Sequence, residues 1–145
     1  MKANELKVTD LMVEDWVICY HPSRPQSFER VSVGLLHTLD QQEHGHIKED
    51  NPLFRIVQPI PLTPEILKKN GFVNSYIDES LNKDSVYKYN HFYTGNSVIV
   101  DMESNKLIVK YENNIWMNLP YNRTIYVHEL QHVLKHCDIK KEIII

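Results

Sequence analysis

His128-Glu129-Leu130-Gln131-His132 is the stretch whose residue types and spacing spell a reaction. Two histidines four apart share one face of a helix, so both imidazoles can reach a single Zn²⁺. A glutamate beside the first can polarise a metal-bound water for attack on a peptide carbonyl, the chemistry of a zinc metallopeptidase. A catalytic zinc, however, takes three protein ligands and keeps a fourth position open. His136 is about 12 Å along a helix from His128, too far for the three histidines to close round one ion. In the metzincin extension a glycine and a third histidine follow at fixed places; here Lys135 and Asp138 occupy them. His91, His44 and His46 are supported by no ligand spacing. His128, His132 and His136 therefore read as a polar helix face, with no catalytic, cofactor-binding or metal residue assigned. The alternative keeps zinc as cofactor, His128 and His132 as ligands and Glu129 as base.

Other chemistry-bearing patterns are scarce. No P-loop, dinucleotide fingerprint or nucleophile elbow occurs. His44-Gly45-His46 reads as a tight turn rather than a chelate, with Gly45 supplying a positive φ. Trp16, Trp116 and the 8 tyrosines read as core or cross-strand residues rather than a stacking platform for sugars or bases. The 2 cysteines, Cys19 and Cys137, lie far apart and read as reduced thiols. A net charge of -3 provides no excess positive field for nucleic acid or anionic lipid. The opening Met1-Lys2-Ala3-Asn4-Glu5-Leu6 lacks a secretory apolar run, and no apolar segment reaches the roughly 18 residues that span a bilayer. The expected compartment is the cytoplasm.

The elements that must position these residues follow from periodicity and turn chemistry. Glu14-Asp15 is expected to turn into a strand ending near Tyr20, as SH3-like barrels often open. The prolines of His21-Pro22-Ser23-Arg24-Pro25 predict an exposed loop, and Arg30 to Leu39 alternates as a second strand. Asn51-Pro52 marks a break before the strand Leu53–Val57. Residues 1–58 are thus predicted to form a small SH3-like strand region.

Residues 59–145 are predicted to form an α+β region, either separate from the first or one continuous domain with it. Thr63 is the expected N-cap of a short helix, Pro64 takes its first position, and Gly71 closes it in a Schellman ending that folds Phe72 back toward Leu67. Strands are expected at Val86–Tyr93, Val98–Met102, Leu107–Tyr111 and Ile115–Leu119, with turns at Glu103–Lys106 and Asn113-Asn114. A helix from Thr124 to Cys137 presents Val127, Leu130, Val133, Leu134 and Cys137 on one stripe to cover the sheet. The apolar tail Ile139–Ile145 is expected to add a strand or dock on the sheet.

Three blocks carry a family resemblance: Ala3–Val8, Gln58–Phe72 and Tyr126–His132. The chain resembles, over nearly its whole length, a group of small uncharacterised proteins of Bacteroidetes-type gut bacteria, their phages and mobile elements. The resemblance implies no established activity, cofactor or partner, and relatives often carry Gln or Asn within the helix motif. This sequence departs from them at Glu14-Asp15, where a Gly-Asn pair is usual, and at Asp138, where glycine is usual. The departures bear on turn geometry.

The sequence thus predicts a soluble α+β protein in which an SH3-like strand region, a short helix and a helix-covered antiparallel sheet follow one another. Its expected role is a non-enzymatic binding or accessory module of phage or mobile-element origin, engaging a protein partner or a further copy of itself. Nucleic acid and membrane are not expected partners. The rival expectation is a zinc-dependent hydrolase built on His128 and His132.

Overall fold

The computed structural model describes residues 5–74, 85–90, 95–111 and 114–145. The chain divides into two compact units, Met1–Ile60 and Pro61–Ile145. Helices and antiparallel sheets occur in both units, which makes the protein α+β.

The first unit is organised around β1 (Trp16–Tyr20), where Val17 and Cys19 point inward and their neighbours lie half-buried. This period-two pattern is what a strand covered on one face requires. β1 pairs antiparallel with β2 (Ser27–Arg30) on one side and β3 (Ile56–Gln58) on the other. Between β2 and β3 runs the helix α1 (Val33–Glu43). Val17, Cys19, Val31, Leu39 and Val57 form its core with Leu11, and Leu35 and Leu36 of α1 pack against them.

Here the structure corrects the expected second strand over Arg30–Leu39. Pairing stops at Arg30 and a helix starts at Val33, because the Ser32 hydroxyl accepts the Leu35 N–H at 3.1 Å and so caps it. Leu35, Leu36 and Leu39 then share a helix face, while Val33 is left exposed. The alternation of Val31, Val33 and Leu35 fits both periods over so short a run. The first unit thus holds a three-stranded antiparallel sheet in the order β2-β1-β3 beside α1. Gly45, at φ 78°, turns the chain after α1 as expected.

In the second unit the short helix α2 (Pro64–Lys69) has the expected termini. The Thr63 hydroxyl accepts from the Ile66 N–H at 3.2 Å. Gly71 has φ 84°, and the Phe72 and Gly71 N–H groups donate to the carbonyls of Leu67 and Lys68 at 3.0 and 3.2 Å. These are the paired bonds of a Schellman ending, with Leu67 and Phe72 both buried.

A five-stranded antiparallel sheet follows, in the order β4 (Val73–Asn74), β5 (Val86–Asn90), β6 (Asn96–Asp101), β7 (Lys106–Tyr111), β8 (Asn114–Pro120). Asn105 takes the left-handed turn position between β6 and β7 at φ 55°. Val98 opposite Val109 and Val100 opposite Leu107 form a fully buried strip on one face. The expected extension of β5 through Tyr93, the Asn113 turn position and the stretch 75–84 fall outside the described residues.

The last helix, α3 (Val127–His136), buries Val127, Leu130, Val133 and Leu134, with Cys137 following. It starts three residues later than Thr124, because Tyr126 is extended and bridges Pro61. It ends in a second Schellman motif. Asp138 lies at φ 55°, and the Ile139 and Asp138 N–H groups reach the carbonyls of Leu134 and Lys135 at 2.9 and 3.1 Å. The tail forms no strand. It docks through buried Ile139 and Ile143 and is held by Asn70, whose amide donates to Ile144 O and accepts from Ile144 N, both at 2.7 Å.

Candidate functional site

The start of α3 brings the motif residues together and shows what each does. Chain entering the helix runs through Tyr121, Arg123 and Tyr126. Arg123 places its guanidinium 4.5 Å from the centre of the Tyr126 ring and 5.6 Å from that of Tyr121. From there it forks onto Glu129, with Nη1 and Nη2 at 2.8 and 3.0 Å from the two carboxylate oxygens. The Tyr126 backbone N–H donates to the same carboxylate at 2.9 Å.

Glu129 is therefore the third residue of the helix, reaching back to the N-cap backbone as half of a capping box. A carboxylate there also meets the positive end of the helix dipole. Three N–H donors converge on its two oxygens, so the group assigned as water-activating base in the zinc reading serves as a cap. The bond to Glu129 raises the pKa of Arg123, partly opposed by desolvation. Burial, and secondarily the Glu129 charge, raises that of Tyr121.

His128, expected on the polar side of α3, is instead 5% exposed. It lies in the first turn, where side chains slant back toward the N-terminus, and the Tyr126 ring stacks on it at 5.9 Å. His132 meets it edge-on at 5.5 Å between ring centres and is half-buried, while His136 is exposed as expected. The imidazoles of His128 and His132 are thus neighbours. Among the described residues, no group of three or more His, Cys, Asp or Glu side chains is placed to hold a metal ion.

Of the other candidate histidines, His44 and His46 belong to the first unit. His91 is outside the described residues. His44 Nδ1 lies 2.8 Å from the Asp40 carbonyl and 3.4 Å from its carboxylate, and the first of these contacts is the main cause of a raised pKa. Trp16 is covered by Arg30, 4.9 Å above its ring.

Sequence reasoning missed Arg123, Tyr121 and Tyr126. The signal for them was a glutamate three residues into a helix preceded by a tyrosine-flanked arginine, visible only once the helix start is placed at Val127 rather than Thr124. It also missed a cleft of about 430 Å³ at the end of the sheet, bordered by Asn96, Tyr111, Asn114, Ile115 and Cys137. The Cys137 thiol on its rim is raised in pKa by burial. No family model, curated protein or solved structure matches the chain. No helix among the described residues is long and apolar enough to cross a membrane.

Proposed function

We propose that the protein is a non-enzymatic binding module that docks a polypeptide partner, a further copy of itself included, at the β7–β8 end of its second sheet. The observation that carries this reading is the exposed apolar rim of the cleft, where Ile115 is 61% and Tyr111 49% exposed. Among the described residues β8 is an edge strand, and Asn114–Pro120 contains no charged residue, the usual protection of an open edge. A register shift between Val109 and Lys110 interrupts β8, which disfavours continuous strand addition. The contact is therefore assigned to partner side chains entering the cleft beside Tyr111 and Ile115.

The proposed setting, a phage or mobile element, rests on the resemblance to small proteins of that origin. At Glu14 and Asp138, where the resemblance implies glycine, the backbone has φ 78° and 55°.

Sedimentation and chemical cross-linking of wild type and Ile115→Glu test the reading. Ile115 is exposed, so the variant folds, and self-association or a purified partner's binding should weaken at least about tenfold through the buried charge. Equal association by both proteins would remove the basis for this surface.

One observation favours a second reading, the 5.5 Å separation of the His128 and His132 rings. A zinc hydrolase would bind near-stoichiometric zinc that is lost in His132→Ala, and its hydrolysis would vanish in Glu129→Gln. Zinc binding without hydrolysis would leave the histidine pair as a structural metal site only.

A further inference from the structure

The register of the first unit's sheet brings two loops together. Tyr20 at the end of β1 lies opposite Ile56 at the start of β3, so the segment after Tyr20 and the segment before Ile56 leave the sheet at the same end. Between them is a polar cleft of about 230 Å³ lined by His21, Ser23, Arg24, Asp50, Pro52 and Arg55. It is independent of the surface proposed above, which lies in the second unit.

The cleft is held by its own hydrogen bonds. His21 Nδ1 accepts from the Ser23 N–H at 3.0 Å, so its proton sits on Nε2, 3.2 Å from the Asn51 carbonyl. The Ser23 hydroxyl lies 2.6 Å from the same Nδ1. His21 thus ties the two loops together. Arg55 is clamped through its backbone, whose N–H donates to Gln42 Oε1 at 2.7 Å and whose carbonyl accepts from Gln42 Nε2 at 2.8 Å. Its Nη1 donates to the carbonyls of Pro52 and Phe54, both at 2.8 Å.

Those two bonds account for Nη1 and leave the Nε and Nη2 edge of the guanidinium with no protein acceptor among the described residues. Arg24 likewise has no side-chain acceptor among them. Neither arginine is within ion-pair distance of Asp50, which lines the same cleft with a single opposing charge. Two guanidinium groups without carboxylate partners, one of them fixed in orientation, form a donor set that matches a tetrahedral oxyanion. The cleft volume suits a phosphate with a small substituent.

We propose that this cleft binds a phosphate group, as inorganic phosphate or a phosphate monoester, through Arg24 and the free edge of Arg55. Asp50 is the opposing charge that keeps the affinity modest and favours a ligand carrying more than one negative charge. The Gln42 clamp positions Arg55.

The test is an amide NMR titration of the full chain with inorganic phosphate and with phenyl phosphate, at constant ionic strength set by chloride. Saturable shifts confined to residues 21–24 and 50–55 are expected. Arg24→Gln, which removes an exposed side chain, should weaken binding at least about tenfold, and Asp50→Asn should strengthen it several-fold. A lower saturation midpoint with phenyl phosphate than with inorganic phosphate would identify the monoester as the ligand class; an equal or higher one would identify the free ion. Linear, non-saturating shifts, or equal affinity in Arg24→Gln, would overturn the proposal.

Discussion

Arg123 meets both carboxylate oxygens of Glu129, at 2.8 and 3.0 Å, while the Tyr126 N–H donates to one of them at 2.9 Å. A glutamate in a His-Glu-x-x-His run acquires catalytic meaning only if its carboxylate faces a metal-bound water. In this chain it faces its own helix start. The same residue order thus serves a helix cap, and the histidines on either side of it pack on each other and on Tyr126. The three-donor cap explains why the motif sits at the first turn of α3 rather than its middle.

Asp138 and Glu14 hold left-handed backbone conformations at φ 55° and 78°. A side chain there costs about 1–2 kcal/mol relative to the right-handed well, a strain that glycine relieves. Asp138→Gly and Glu14→Gly should each raise stability by about 0.5–1 kcal/mol after the added chain entropy of glycine. Glu14→Gly gives up its 3.0 Å pair with Arg30, whose exposed position limits that loss. Urea unfolding midpoints check both; a lower midpoint in Asp138→Gly would mean that the aspartate side chain has a compensating role.

Asn70 is buried and bonds Ile66 O, Ile144 O and Ile144 N at 2.7–2.8 Å. Its amide imitates one residue of a partner strand for the tail. Asn70→Ala leaves the Ile144 N–H and carbonyl without that partner, while Ile66 O keeps the residue-70 backbone N–H at 3.2 Å, and should destabilise by about 2–3 kcal/mol. Hydrogen exchange at Ile144 should rise in parallel. Unchanged protection there would show that the tail is held without Asn70, by buried Ile139 and Ile143 and the 2.9 Å bond from Lys69 Nζ to Ile145 O.

His44 titrates above its ordinary 6.5, first because the Asp40 carbonyl bonds its ring and then because the Asp40 carboxylate lies nearby. A raised folded-state pKa contributes stability below about pH 6.5 that disappears as pH climbs through the folded value. Proton NMR of the His44 ring should show the raised midpoint. Asp40→Asn should lower it only part-way, since the carbonyl stays; a full return to the ordinary value would assign the shift to charge alone.

How far the sequence was legible depended on whether a signal was local. Thr63, Pro64 and Gly71 each act within a few residues, and α2 has the expected termini. The hairpin turn at Asn105 was legible for the same reason. Val31, Val33 and Leu35 were ambiguous because a short alternating run satisfies both periods, and the Ser32 cap decided for a helix. His128 was misplaced because helical angle alone ignores the chain entering the helix, which here supplies a tyrosine ring. The 21–24 and 50–55 loops were unreadable as a pair, since only the β1–β3 register brings them to one end of the sheet.

The Arg123–Glu129 double-mutant cycle, read by urea unfolding in zinc-free buffer, tests the central claim that this glutamate is a helix cap. Arg123 is 46% and Glu129 14% exposed, so the coupling is screened and should be about 1 kcal/mol. Glu129→Gln alone should lose about 1–2 kcal/mol through the weakened cap and fork. Additive single mutants together with a fully stable Glu129→Gln would contradict the account and return the glutamate to a chemical role.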